Sequence, residues 1–385
     1  MKNLICFALC LFLIITEGCA QPPVTDNNVD PTPLASNVKK KKIKLALLLD
    51  TSNSMDGLIE QAKSQLWKIV NELSLAKCDG LKPDIEIALF EYGNDGLSAE
   101  TGFIRMVCPL SSDLDNLSKN LFSLKTNGGS EFCGQVIQSA IKLLNWSNDT
   151  ADLQMIFIAG NEAFDQGSVN YAQSCVEAKN KNIVVNSIYC GNFNEGINSF
   201  WKNGADITSG SYMSIDHNSK TIFIATPYDN QIAALNDSLN KTYIGYGKEG
   251  ERKKQMQEEQ DRNADQYGTA NKVSRTVSKS SSVYKNESWD LIDAQKVGAV
   301  EVEKLTADQL PAEMKSMSVT ERKVYIDANA KKREEINVKI AELNINRTKY
   351  IAEQENKTTT NTNTLENTMI QSIRKQASKK NMVFE

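Results

Sequence analysis

The stretch "LALLLDTSNSMD" at residues 45–56 ends an apolar run on an aspartate and follows it with hydroxyl and amide side chains. Asp50, Ser52 and Ser54 fall at alternate positions. Carboxylate and hydroxyl oxygens are hard donors that suit Mg²⁺ or Mn²⁺, and alternate residues of a tight loop can turn three side chains onto one ion. A plainer reading gives Asp50 or Ser54 only the task of capping the helix that follows. The two roles are compatible. Other chemistries are poorly supplied. Histidine occurs once, as His217 in the polar turn "SIDHNSK", so Ser-His-Asp and Cys-His arrangements would both need that residue, and an H-E-x-x-H zinc site is impossible. There is no G-x-x-x-x-G-K-[ST] phosphate loop. A hydrolase built on Asp50, Glu131 or Glu162 around a metal-bound water would need two carboxylates converging on the ion. Nothing in the spacing points to that, and the chain reads as a binding protein, not an enzyme.

The elements that position this loop follow from periodicity. "IKLALLLD" leads into Leu58, Ala62, Leu66, Ile69 and Leu73 at helical spacing. Further apolar strands, "IEIALFEY", "MIFIAG" and "IVVNSIYCG", alternate with the helical stretches "DLDNLSKNLFSL", "QVIQSAIKLLNW" and "VNYAQSCVEAKNK". Continuous apolar strands separated by helices predict an α/β fold: a doubly wound, mainly parallel central sheet with helices on both faces, followed by a helical C-terminal region. Ligands of such sheets bind at the carboxyl ends of the strands, where strand order reverses. "LALLLD" ends at that edge.

In this setting "LLLDTSNSM" resembles a von Willebrand factor type A (VWA) domain, as in integrin inserted domains, whose metal-ion-dependent adhesion site is built on D-x-S-x-S. The resemblance makes Asp50, Ser52 and Ser54 the first loop of that site. "TNGGSEFCG" resembles the family's Gly-Gly-Thr turn and puts Ser130 at the threonine position. The third loop, "FIAGNEA", departs from the family, with Gly160 where an aspartate is usual. Asn161 and Glu162 are then placed nearest the site, with Asp165 and Glu131 as further stand-ins, and the missing carboxylate implies weaker cation binding. The resemblance implies a divalent cation, Mg²⁺ first and Mn²⁺ or Ca²⁺ as alternatives. Its open coordination position would take an Asp or Glu of a protein partner.

The beginning of the sequence, "MKNLICFALCLFLIITEGCAQPP", has a lysine, an apolar run from Leu4 to Ile15, and Gly18-Cys19. The run is too short to span a bilayer comfortably and reads as an export signal. Its end resembles a bacterial lipobox, which implies lipidation of Cys19 and a lipid-anchored protein of the bacterial cell envelope, facing the periplasm or the cell surface. The expected organisation is a signal over 1–18, a Pro-, Asn- and Asp-rich tether over 19–42, the VWA domain over 43–246, a solvated polar helix and linker over 247–282, a helical region over 283–357, and a Thr/Asn linker with a short terminal helix over 358–385. Tyr284, Trp289, Leu291 and Ile292 are expected to dock on the domain, and Ile336, Ile340, Leu343, Tyr350 and Ile351 to form one helical stripe. A rival reading is a metal-independent scaffolding lipoprotein that binds partners through the Trp289 or Ile340 surfaces. A formal net charge of −4 over 385 residues leaves no basic footprint for nucleic acid. Apart from the signal and Cys19, five cysteines remain, Cys78, Cys108, Cys133, Cys175 and Cys190. A disulfide between Cys133 and Cys190 is the favoured pairing, because both should lie near the same end of the fold, with five buried free thiols as the alternative.

Overall fold

Residues Ile43 to Asp50 are all buried, as a strand covered on both faces must be. The computed structural model describes residues 40–219, 221, 223–355 and 364–385; the expected export signal, Cys19, the expected tether to residue 39 and residues 356–363 of the expected Thr/Asn linker lie outside them. In chain order the elements are β1 (Lys42–Asp50), α1 (Asp56–Ser74), β2 (Ala76–Cys78), β3 (Asp84–Tyr92), β4 (Ile104–Ser111), α2 (Leu114–Phe122), α3 (Cys133–Leu143), β5 (Leu153–Gly160), α4 (Tyr171–Asn180), β6 (Val184–Tyr189), α5 (Phe193–Asn198), α6 (Trp201–Ile207) and β7 (Tyr212–Ser214). There follow α7 (Asp229–Asn240), α8 (Gly250–Gln266), α9 (Thr269–Ser280), α10 (Leu291–Lys296), α11 (Val319–Glu355), α12 (Leu365–Ser378) and β8 (Met382–Phe384). The main sheet has the order β4-β3-β1-β5-β6-β7 and is parallel except for β4, which runs antiparallel to β3. Strand order reverses beside β1, so Asp50 stands at the switch point, as the periodicity predicts.

Alternate residues of β1 serve opposite faces. Leu45, Leu47 and Leu49 join one core with Leu58, Leu66 and Leu73 of α1, whereas Ala46 and Leu48 join another with Val136, Ile137 and Ala140 of α3. The first face is finished by distant chain. Met369, Ile373 and Ala377 of α12 enter the α1 core, α12 touches β5 and β6, and β8 pairs antiparallel with β2. The sheet's layer therefore extends well beyond the expected limit at residue 246.

Residues 247–282 depart further from expectation. They form α8 and α9, turning at Gly268 (φ 92°), and α9 packs on α1, α7, α8 and α11 instead of standing in solvent. Their polar composition is accommodated by buried charge pairing. Arg275, with no exposed surface, reaches Asp115 on α2 at 2.6 Å and Asp261 on α8 at 3.0 Å and stacks 4.3 Å from the Trp67 ring. Lys279 also pairs with Asp261, at 2.8 Å. Tyr284, Trp289, Leu291 and Ile292 are buried as anticipated, and so are Ile336 and Ile340 of the α11 stripe. Among the described residues no helix is long and apolar enough to cross a membrane.

Candidate metal site at the switch point

β1 leaves the sheet at Asp50, opposite Tyr92 of β3, one residue beyond the pairing of Leu49 with Ala159 of β5. Asp50 has no exposed surface. Its Oδ1 accepts the Ser52 N–H at 2.8 Å, while its Oδ2 is buried without a hydrogen-bond partner. Ser52 precedes one 3₁₀ turn, Asn53–Met55, and α1 begins at Asp56; neither start is capped by a side chain. The capping reading of Asp50 and Ser54 therefore does not hold. The two serine hydroxyls instead lie 3.2 Å apart, and Ser54 Oγ donates to Asn161 Oδ1 at 3.3 Å.

The second loop is tied directly to the first. Asn127 N–H donates to the Thr51 carbonyl at 2.9 Å. A Cβ on Gly129 would lie 2.5 Å from the carbonyl oxygen of Gly93, in the turn after β3, so only glycine permits the second loop to approach that turn. Ser130 is half-buried and makes no hydrogen bond to Asp50, Ser52 or Ser54 among the described residues. The next residue, Glu131, is buried, and its backbone N–H donates to Gln166 Oε1 at 2.8 Å. Gly93 (φ 74°) shows how closely the acids meet: a Cβ there would lie 2.7 Å from Glu131 Cγ and 2.9 Å from Asp50 Oδ1. Glu131, more than Ser130, is what this loop delivers to the site.

The third loop explains its own departure. A Cβ on Gly160 would fall 2.5 Å from the Tyr92 hydroxyl and 2.9 Å from Asp50 Oδ2. Tyr92, fully buried, donates to the Ala159 carbonyl at 3.0 Å and fills the space a side chain at 160 would need. Asn161 is half-buried beside Ser54, while Glu162 is exposed and accepts Trp201 Nε1–H on its carbonyl at 2.7 Å. Tyr92 carries no signal in the sequence; its role emerges only through its register with Asp50.

Burial pushes the Asp50 carboxyl up to about 7, against the hydrogen bonds from Ser52, with Glu131 and Glu162 adding repulsion. Glu131 is likewise pushed up to about 7, first by burial and then by Glu162. An orphaned carboxylate oxygen, a second buried acid, two hydroxyls unspent on capping and an amide oxygen form a hard-donor set whose charge nothing in the loops neutralises. Such a set fits a divalent cation. Among the described residues no group of three His, Cys, Asp or Glu is placed to hold a metal by itself, so a cation here depends on the hydroxyl and amide oxygens.

The expected Cys133–Cys190 disulfide is not formed: both are free, buried thiols. Both do lie near the Asp50 end, but Cys133 belongs to the α3 face and Cys190, one residue past Tyr189, to the α1 face. The sheet separates them.

An open, mainly parallel sheet with helices on both faces and a hard-donor loop at its switch point defines a doubly wound α/β domain. The model of the family described as von Willebrand factor type A domain matches residues 44–196, and this segment is a VWA domain. No curated protein matches the chain. Similar solved structures include the conserved hypothetical protein BatB from Bacteroides thetaiotaomicron, at 16% identity and TM-score 0.35 over 46% of this chain and 91% of that one. The SpRpn10 VWA domain aligns at 16% identity and TM-score 0.34, over 45% of this chain and 87% of that one. An aerotolerance-related membrane protein from Bacteroides fragilis aligns at 16% and 0.32, over 46% and 93%.

Proposed function

We propose that the VWA domain holds a divalent cation at Asp50, Ser52 and Ser54, with Glu131 supplying the carboxylate that Gly160 cannot, and Asn161, Glu162 and Ser130 around it. Mg²⁺ is the best match, with Mn²⁺ and Ca²⁺ as alternatives. The ion, when bound, presents residual positive charge and an open position to an Asp or Glu of a protein partner. The chain's own residues hold the donors in place: Ser52 N–H fixes Asp50, and Gly93 and Gly129 let Glu131 close on it. The observation that carries this reading is Asp50 Oδ2, buried and without a hydrogen-bond partner. An interaction module of this kind, lipid-anchored through Cys19 in the bacterial envelope, is the function we assign; incorporation of a palmitate analogue, lost in Cys19→Ala, tests the anchor. The scaffolding alternative would use Trp289 or Ile340, but both are buried inside this chain, which disfavours it.

Thermal unfolding with EDTA and with Mg²⁺, Mn²⁺ or Ca²⁺ tests the metal, because a ligand that binds only the folded state raises its apparent stability. The expected result is a rise in Tm with metal that Asp50→Ala removes. No response at millimolar metal would sink the proposal.

A further inference from the structure

Large apolar side chains are partly exposed in the segment that follows β6. Phe193 and Phe200 are 49% and 43% exposed, and Ile197 lies between them at 36%. All three belong to the short segment that leaves the carboxyl end of β6, the sheet edge at which Asp50 sits. The segment is tied to the third loop of the site. Phe164 N–H donates to the Ser199 carbonyl at 2.9 Å, Trp201 Nε1–H to the Glu162 carbonyl at 2.7 Å, and a Cβ on Gly196 would lie 2.7 Å from the ring of Tyr189, the β6 partner of Gly160.

Phe200 is also held at φ 70°, ψ 6°, a left-handed conformation that a bulky residue rarely adopts and that asparagine or glycine takes more easily. The segment thus keeps an exposed ring where folding alone would favour a small polar residue. The carboxylates around the patch, Glu162, Asp165 and Glu195, are all exposed, and the neighbouring Lys202 is paired with Asp206. A partner with a run of acids would be repelled there, whereas a lone acid flanked by apolar and basic residues would be complementary.

We infer that Phe193, Ile197 and Phe200 form an apolar docking shelf continuous with the metal site. Its occupant is a protein segment with one Asp or Glu set among apolar residues and flanked by Lys or Arg. The inference rests on the metal reading above and adds the sequence class of the partner. The acid completes the metal's coordination, the neighbouring apolar side chains cover the shelf, and the basic flanks meet Glu162, Asp165 and Glu195.

The test is selection of a random dodecapeptide phage library on the immobilised protein, in Mg²⁺ and in EDTA, for wild type, Phe193→Ala and Phe200→Asn. Mg²⁺-induced shifts in Tm are measured on the same three proteins. The expected result is Mg²⁺-dependent enrichment of peptides with a single acid next to apolar and basic residues. The two variants should bind those peptides at least about tenfold more weakly while keeping the metal-induced shift in Tm, since a tenfold loss is the scale of one apolar anchor. Phe200→Asn should also raise the metal-free Tm, which excludes misfolding as the cause of lost binding. Equal peptide binding by all three proteins, or selection of polyacidic peptides, overturns the shelf and leaves the metal reading standing. Absence of the Tm shift in wild type overturns the metal reading and the shelf with it.

Discussion

The loop at Asp50 and the cluster around Arg275 pose the same physical problem, carboxylates removed from water, and resolve it in opposite ways. Around Arg275 the chain supplies its own cations. Against the burial that would raise it, Lys279 and Arg275 draw Asp261 well below the ordinary carboxylate range; burial still holds Asp115 above that range, but Arg275 and the Tyr284 hydroxyl, which donates to it at 2.6 Å, work against the rise. At the switch point no lysine or arginine is paired with Asp50 or Glu131 among the described residues, and burial lifts both to about 7. One cluster is closed within the chain; the other is left without a cation of the chain's own. The closed cluster does structural work, fastening the polar helices α8 and α9 to α1 and α2. The open one keeps a coordination demand that a ligand can meet.

The comparison is broken most severely by removing the cation from the closed cluster. Arg275→Met leaves Asp115 and Asp261 buried with less compensation and should cost about 3–5 kcal/mol in urea unfolding. At the open site, Mg²⁺ at about a hundred times its Kd should add about 2.7 kcal/mol, read as a shift of the urea midpoint in wild type only. Asp50→Asn should have the reverse sign to Arg275→Met in EDTA at pH 8, stabilising the protein by about 2 kcal/mol through loss of an uncompensated charge. That gain has a defined pH window. The folded Asp50 binds its proton up to about pH 7 against an ordinary value of 3.8, so its contribution to stability is present below about 4 and lost as pH rises through 7. The advantage of the Asp50→Asn variant over wild type should therefore shrink as pH falls from 8 towards 4. The smallest change is expected from Gly160→Asp, which restores a carboxylate to the third loop but meets Tyr92 and Asp50. It should destabilise by about 1–2 kcal/mol and leave the Mg²⁺ response no larger, as urea titrations with and without metal would show.

The strand, the loop and the sheet class were legible because each depends on local pattern: apolar continuity in β1, the D-x-S-x-S spacing, and helices between strands. Glu131 was visible beside Ser130, but its precedence over that serine depends on Gly93 leaving room for its side chain. Tyr92 and the two thiols were not legible. Register and face decide what they touch, and neither can be read without the pairing of β3 with β1 or the parity of β6. The polar stretch 247–282 misled for a different reason. Its helices are buried by paired charge rather than by apolar area, and the partners of Arg275 include a residue as remote as Asp115.

The covering of the sheet by α12 bears on how the molecule is made. Met369, Ile373 and Ala377 are synthesised long after β6 is complete, yet they close the same core as β1 and α1. Until they arrive, that face of the sheet lacks part of its cover. The contacts that finish the fold are among those farthest apart in the chain, which favours slow, late closure. A nascent chain halted before α12 would hold its sheet with an apolar flank still open, a surface that chaperones recognise.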